Sequence, residues 1–216
     1  MPLSLVRNRV FDQVRGEILS CQLQPGEELR ESELAKRYGV SKSPVRDAMQ
    51  KLEFEGLIEI EPRRGHRVKP ISVADAEDIL ELRAVIETGV VRLIVEKATD
   101  ADLRDLDRFR VADITSITAF AAYNRDFHHG LSQLSGNRRL AEETRRMMEV
   151  YDRLCLVSLS TLRREDGLSG PLADHNAIID ALQARNGTAA ARMVTRHVGK
   201  SRGSIMRGLG KRPIVE

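Results

Sequence analysis

The chain has 216 residues, of which 41% are hydrophobic, 31% charged and 4% aromatic, and its formal net charge is +3. This balance suits a globular protein of one large domain or two small ones, and its mild basic bias is compatible with a nucleic-acid partner. No stretch reaches the roughly 18 uncharged apolar residues of a membrane span, no apolar run predicts a signal peptide, and Cys21 and Cys155 make no disulfide framework. We therefore expect a cytoplasmic protein without a membrane partner.

Residues 1–70 have the pattern of a winged helix-turn-helix domain. The predicted elements are helices over 8–20, 31–38 and 43–55, a strand over 57–61, a turn at 62–65 and a strand over 66–69. Gly39 is expected to end the second helix. In the third helix, Ser43 is the predicted N-cap, Pro44 the first helical residue and Phe54 one of the buried side chains.

Residues 71–216 are predicted to be helical throughout, because no strand pattern follows Pro70. Thr99 and Asp102 have the spacing of a capping box. The predicted helices are 73–97, 100–112, 117–134, 138–161, 172–186 and 188–207. The predicted fold is thus mainly α, with a winged helix in 1–70 and an antiparallel bundle of six to seven helices in 71–216.

Basic side chains lie where a winged helix meets DNA. Lys42, Ser43 and Arg46 start the third helix, the end that enters a major groove, where Lys and Arg donate to guanine. A basic wing has Gly65 at its tip, and its charged residues are Arg63, Arg64, His66 and Arg67. The alternative is that these are solvated charges on a small helical domain.

The segment GEELRESELAKRYGVSKSPVRDAMQKLEFEGLIEIEPRRGHRV resembles the winged-helix domain of GntR-type bacterial transcription regulators. The resemblance implies a regulator that binds operator DNA. The DNA-contacting positions that it implies are Lys42, Ser43, Pro44, Arg46, Arg64, Gly65 and His66. Many members of the family have Arg where this chain has Lys42, and Lys offers a point charge in place of a bidentate fork.

Three histidines lie on three predicted helices of the second half. Asn124 and His128 are four residues apart and share one helix face, while His175 and His197 belong to the last two helices. Imidazoles that converge in a bundle core suit a divalent metal. The alternative is that they are ordinary core or surface residues.

The segments YNRDFHHGLSQLSGN at 123–137 and DHNAIIDALQARNGTAAARMVTRHV at 174–198 resemble the FadR-like branch of the GntR family, with its all-helical FCD-type effector domain. The resemblance implies a metal held by Asn124, His128, His175 and His197, with Zn favoured over Ni, Mn or Fe. Metal-binding members more often have Asp at the position of Asn124. A neutral amide there is expected to weaken the site.

The resemblance also implies an effector pocket that Arg83 enters, and Arg153 is a second candidate. A metal and an Arg fork together would hold a small carboxylate. The alternative for Arg83 is an exposed residue paired with Glu87 at i,i+4.

The sequence therefore predicts a homodimeric regulator, a repressor, that binds a palindromic operator and senses a small organic acid at a metal site. One alternative is a regulator whose histidines are purely structural. The other is a helical metal-dependent hydrolase, for which the nearby acids Asp126, Asp174 and Asp180 are poorly placed as a general base.

Overall fold

The computed structural model describes residues 3–61, 65–159 and 169–210. The chain forms two compact units, the first ending at Ser72 and the second beginning at Val73. Within the described residues, the first unit contains all the strands and the second is helical.

The first unit is a winged helix. Its helices are α1 (Leu3–Leu19), α2 (Glu31–Tyr38) and α3 (Lys42–Phe54), and its strands are β1 (Glu28–Leu29), β2 (Ile58–Glu61) and β3 (Gly65–Val68). The strands form an antiparallel sheet in the order β1-β3-β2. In the wing hairpin Ile60 pairs with His66 and Glu61 with Gly65. The two-residue strand β1, which pairs Leu29 with His66, was not predicted.

The core of this unit explains why its helices lie where they do. Its fully buried side chains come from α1, α3 and the sheet: Val10, Val14, Ile18, Val45, Met49, Leu52, Ile58 and Val68. The prediction that Phe54 joins them is wrong, because this last residue of α3 is 93% exposed. Successive residues of an α-helix are rotated by about 100° about its axis. Phe54 therefore lies about 200° around α3 from Leu52, on the side away from the core.

The start of α3 also differs from the prediction. Its N-cap is Ser41, and Lys42 is already helical, so Ser43 is not the cap and Pro44 is the third helical residue. The first four N–H groups of a helix have no intrahelical partner, so a proline fits anywhere in the first turn. Gly39 caps α2 in the left-handed conformation, as predicted.

The second unit begins with α4 (Val73–Lys97) and continues with α5 (Asp100–Asp105), a 3-10 turn at Leu106–Phe109, α6 (Ile117–Leu134), α7 (Arg138–Leu159), α8 (Ser169–Gln183) and α9 (Gly187–Leu209). The Thr99–Asp102 capping box is present. The predicted helix 100–112 instead tightens at Leu106. This turn brings Phe109 edge-on to Phe127 of α6, with ring centroids 5.6 Å apart.

A single apolar core joins the helices of the second unit. It includes Val91 and Ile94 of α4, Phe127 of α6, Ile178 of α8 and Val194 of α9. No helix of the described residues is long and apolar enough to cross a membrane. The polar residues buried beside this core form the site described below.

Candidate functional sites

The exposed start of α3 carries the predicted reading residues. Lys42, Ser43 and Arg46 are exposed, whereas Pro44 is buried with the core side of the helix. Arg46 is held by Glu31 of α2 through two bonds, from Nε to Oε1 at 3.1 Å and from Nη2 to Oε2 at 3.0 Å. The hydrogen bond from Arg46 lowers the pKa of Glu31. Glu31 therefore stays charged and keeps Arg46 in one orientation.

The wing presents a different surface. Gly65 is exposed with φ at 104°, and a Cβ there would lie 3.3 Å from the carbonyl oxygen of Leu29, so only glycine fits without strain. His66 is half-buried. Arg67 pairs with Glu59 at 2.6 Å and Glu61 at 3.1 Å. The predicted contacts at Arg63 and Arg64 lie outside the described residues.

Other arginines of this unit are paired with acids as well. Arg7 lies 3.3 Å from Asp47, Arg15 lies 2.8 Å from Glu55, and Arg37 lies 3.2 Å from Glu17. Residues 1–70 contain 13 Lys and Arg against 11 Asp and Glu, a difference of two. Acids thus offset much of the positive charge of this unit, including that of Arg46, which lies 3.0 Å from Glu31.

The three predicted histidines meet in the core of the second unit. His128 of α6, His175 of α8 and His197 of α9 are at most 3% exposed. One ring nitrogen from each lies within 4.8 Å of the others, and Nε2 of His175 is 3.3 Å from Nε2 of His197. The prediction that the three histidines converge is therefore confirmed.

Arg83 of α4 enters this cluster and is fully buried. Its Nη2 lies 2.7 Å from Nε2 of His128 and 3.1 Å from Nε2 of His197. Its Nε donates to Glu87 Oε1 at 2.5 Å, and its guanidinium carbon lies 4.1 Å from the centroid of the Tyr151 ring. The sequence analysis gave an exposed Arg83 paired with Glu87 as an alternative. The pairing is present, but Arg83 is buried, so the predicted exposure is wrong.

The outward ring nitrogens face polar groups. Nδ1 of His128 lies 3.2 Å from Glu87 Oε2, and Nδ1 of His175 lies 3.0 Å from the Tyr123 hydroxyl. Nδ1 of His197 faces Asp174 Oδ2 at 3.8 Å. Polar groups behind an imidazole fix its orientation and leave Nε2 facing inward, as in carboxylate–histidine–metal arrangements.

Burial decides the charge of the cluster. Desolvation lowers the pKa of His128 to about 4, against the opposing pull of Glu87, and lowers the pKa of His175 and His197 as well. Burial by itself would lower the pKa of Arg83, but the charge and hydrogen bond of Glu87, together with Tyr151 and Cys155, outweigh it and raise that pKa. At neutral pH the cluster therefore holds three neutral imidazoles beside one cation and one anion.

Asn124 lies one turn before His128 on α6 and is 2% exposed. Its Nδ2 has no hydrogen-bond partner within the described residues. Three neutral imidazoles and an amide are a donor set that fits Zn²⁺, which takes nitrogen and oxygen ligands in four-coordinate sites. His129, the next residue along α6, is half-buried and does not belong to the cluster.

Helix α7 lines the same region. Arg153, the second effector candidate, is 6% exposed. Asp152 pairs with Arg125 at 2.5 Å, yet burial raises its pKa to about 7, and its Oδ1 has no hydrogen-bond partner in the described part of the chain. Tyr151 hydrogen-bonds Ser201 of α9 through its hydroxyl.

Sequence reasoning missed several of these residues. Tyr123, Tyr151 and Ser201 had no motif to mark them. Asp174 was expected to be poorly placed beside the cluster, but its Oδ2 faces Nδ1 of His197 on α9 at 3.8 Å. The signal that finds Asp174 is its packing against another helix, which spacing along one helix does not contain.

This architecture, a winged helix joined to an all-helical unit with a buried polar cluster beside its apolar core, is that of a bacterial transcription regulator. Residues 6–68 match the model of the bacterial regulatory proteins, gntR family, and residues 78–200 match the FCD domain. The chain belongs to the GntR family, in its FCD-containing group, and is a transcription regulator rather than an enzyme.

Among its relatives is the HTH-type transcriptional repressor RspR of Escherichia coli, which is 30% identical over 91% of this chain and 87% of that protein. The regulator YdhC of Bacillus subtilis is 26% identical over 87% of this chain and 85% of its own length. The E. coli McbR/YncC structure shares the fold with a TM-score of 0.74 at 18% identity, over 93% of this chain and 96% of that one. A GntR regulator from Rhodococcus sp. RHA1 does so with a TM-score of 0.70 at 22% identity, over 95% and 98%.

Proposed function

We propose that this regulator is a repressor that acts in the cytoplasm, binds a palindromic operator as a homodimer and changes its DNA affinity when a small carboxylate binds at a metal site. The convergence of His128, His175 and His197 in a unit attached to a winged helix carries the proposal. The name of the relative RspR, a transcriptional repressor, supports the direction of control.

The start of α3 reads the DNA. Lys42 and Arg46 donate to base edges in the major groove, Ser43 donates to a phosphate, and Pro44 supports them from the buried side of the helix. The wing adds contacts from Arg64, Gly65 and His66. Two copies related by a two-fold axis place two such helices on two half-sites, which is why the operator is a palindrome.

Zinc would be held by His128, His175 and His197, with Asn124 as the fourth ligand. The ion would supply a Lewis-acidic centre, and an anionic ligand would bind it as a fifth ligand or in place of the neutral Asn124 amide. The neutral cluster described above supports this assignment, because each imidazole has an unprotonated nitrogen available at neutral pH. Nickel, manganese and iron are the other candidates.

The effector is a small carboxylate. Arg83 offers a buried cation beside the imidazoles, and Arg153 is a second buried cation on α7. A carboxylate that bridges the ion and an Arg fork makes charge-assisted bonds on both sides. The effector needs about 1.4 kcal/mol of differential binding between two states of the protein to change DNA affinity tenfold.

The test is the double variant His175→Ala/His197→Ala, with His129→Ala as its matched control. We expect the double variant to lose stoichiometric zinc in metal analysis after gentle purification. We also expect it to lose any response to the carboxylates that stabilise the wild type in a thermal-shift screen with and without chelator. Operator binding without effector should stay within about threefold, because the reading residues lie in the other unit. A double variant that still releases DNA with the wild-type effector would contradict the coupling.

A regulator with a purely structural histidine cluster is the second candidate, and one observation favours it. Arg83 satisfies Nε2 of His128 and His197 without any metal. Metal analysis separates the two functions, because a structural cluster binds no stoichiometric ion. The hydrolase alternative is set aside, because the family is one of regulators and because Asp126 and Asp180 are mostly exposed.

A further inference from the structure

The inward nitrogens of the histidine cluster already have a partner. Each neutral imidazole has one unprotonated nitrogen with one lone pair in the ring plane, and a guanidinium has donors only. Because Arg83 Nη2 lies 2.7 Å from Nε2 of His128 and 3.1 Å from Nε2 of His197, both nitrogens accept hydrogen bonds from it. The proton of each of these two rings is therefore on Nδ1.

The third imidazole completes this inward set of hydrogen bonds. Nε2 of His175 lies 3.3 Å from Nε2 of His197, so one of the two must carry a proton. Nε2 of His197 has a single lone pair, which accepts from Arg83, so His175 carries its proton on Nε2 and shares that lone pair with Arg83, while its Nδ1 accepts from the Tyr123 hydroxyl at 3.0 Å. The cluster is thus internally satisfied around the Arg83 guanidinium.

A metal needs the same lone pairs. Zinc binds imidazole nitrogen at about 2.0–2.1 Å, and a nitrogen that donates its lone pair to zinc cannot accept a hydrogen bond with it. We propose that Arg83 is an internal competitor of the metal: its guanidinium occupies the nitrogens of His128 and His197 in the metal-free protein, and metal binding displaces it toward the effector. This inference rests on the metal site proposed above.

The charges of the cluster favour the same sequence of events. Without metal, the Arg83 cation and the Glu87 anion cancel and the imidazoles are neutral. A divalent ion adds two positive charges, and Asn124 supplies none to balance them. The displaced Arg83 remains anchored to Glu87 through Nε, so Nη2 becomes a free donor next to an uncompensated ion. A carboxylate would accept a hydrogen bond from Nη2 and offset part of the charge of the ion, so we expect metal and effector binding to be cooperative.

The first comparison is between Arg83→Met and the control Arg92→Met. Arg92 is exposed on the same helix, nine residues on and therefore on the opposite face, and its replacement removes the same charge. The probe is Zn²⁺ alone, titrated in competition with a chromophoric chelator. We expect Arg83→Met to bind Zn²⁺ at least about tenfold more tightly than the wild type, because no hydrogen bonds to the imidazoles are broken and no cation repels the ion. Arg92→Met should match the wild type.

A second comparison guards against a side effect of the first. Removing Arg83 leaves the Glu87 carboxylate without its ion-pair partner, and that carboxylate could itself attract zinc. We therefore compare two proteins that both lack this charge, the single variant Glu87→Gln and the double variant Arg83→Met/Glu87→Gln. The double variant should again bind Zn²⁺ more tightly than Glu87→Gln. The thermal midpoint in chelator is measured for all four, and a merely structural role of Arg83 would lower the midpoint without raising the affinity.

The outcomes separate the claims. Tighter binding in both comparisons supports competition. Tighter binding in the first comparison alone shows that the bare Glu87 carboxylate was responsible and overturns it, as does unchanged or weaker binding in both. If the wild type and all variants fail to bind zinc, the proposed metal site fails too, whereas zinc binding by the wild type with no effect of Arg83 removes only the competition.

Discussion

Arg46, a proposed DNA-reading residue, is held by Glu31 in the structure. Glu31 occupies Nε and one hydrogen of Nη2, so the edge formed by Nη1 and the other Nη2 hydrogen stays open. In the proposed DNA complex, that open edge is free to donate two hydrogen bonds to O6 and N7 of a guanine. The carboxylate thus orients the guanidinium for a base and, being negative, opposes a phosphate in the same place.

Glu31→Gln should therefore lower the preference for operator DNA over other DNA more than it lowers the affinity for DNA as such. We expect the ratio of affinities for a selected operator duplex and a scrambled duplex to fall by about two- to fivefold, the size expected from an exposed pair. Glu33→Gln, the same change two residues away on α2, should raise both affinities equally and leave the ratio alone. Fluorescence anisotropy on the two duplexes measures this, and an unchanged ratio in Glu31→Gln would show that Glu31 does not position Arg46.

The buried histidines make the metal-free protein sensitive to acid. The pKa of His128 in the folded protein is about 4, below its ordinary value of 6.5, so the unfolded chain binds more protons between these pH values. His128 alone then removes roughly 3 kcal/mol of unfolding free energy as the pH falls from 6.5 to 4. His175 and His197, whose pKa values are also lowered, add to this loss.

Asp152 works in the opposite direction. Burial raises its pKa from 3.8 to about 7, so it contributes stability below pH 4 that is lost as the pH rises through 7. With three histidines against one aspartate, we expect the unfolding free energy in chelator to fall from pH 6.5 to 4.5. The fall should be steeper in Asp152→Asn. Urea titrations at several pH values measure both slopes, and a flat profile for the wild type would contradict the neutral-imidazole assignment.

At the scale of single residues, the sequence and its family resemblance predicted which histidines meet and that Arg83 enters their pocket, but not that Arg83 hydrogen-bonds the imidazoles directly. The helical spacing of Asn124 and His128 and the family resemblance located the cluster. The insertion of Arg83 between imidazoles depends on the rotation of α4 against α6 and α9. A pair at i,i+4 looks the same in sequence whether it faces solvent or the core, so Arg83 and Glu87 could not be assigned from it.

At the scale of elements, prolines caused the same error twice. The sequence reading placed Pro44 at the first position of its helix and left Pro171 in a loop, but both are the third residue of α3 and α8. Any position in the first turn lacks an intrahelical N–H bond, so proline marks that turn without marking its first residue. The strand β1 was missed because two residues carry no periodic pattern.

The contact between α7 and α9 depends on a glycine. An added Cβ at Gly208 would overlap the backbone of Ser158, with the carbonyl carbon at 2.7 Å, whereas at Gly199 on the same helix it would meet nothing within 4 Å. We expect Gly208→Ala to cost about 1–3 kcal/mol through overpacking and Gly199→Ala to add about 0.5–1 kcal/mol. Urea unfolding of both variants tests this, and equal effects would show that the helices do not pack closely at Gly208.

At the scale of the whole molecule, two separate cores predict two responses to heat. One apolar cluster belongs to the winged helix and the other to the helical unit. Zinc at one hundred times its dissociation constant stabilises the state that binds it by about 2.7 kcal/mol. We expect calorimetry to show two transitions, with zinc raising only one, and no shift in His175→Ala/His197→Ala. A single transition, or an equal rise of both, would contradict this.

The self-pairing of arginines in the winged helix bears on how the regulator finds its target in a living cell. Sequence-independent attraction to DNA grows with the number of phosphates that a protein neutralises, and ordinary chromosomal DNA is present in vast excess over any operator. Because several of its described arginines, Arg7, Arg15, Arg37 and Arg67, are paired with its own acids, we expect the winged helix to spend less time on that DNA. We then expect a small number of copies to suffice for a genome, with most of them available to respond to the proposed effector.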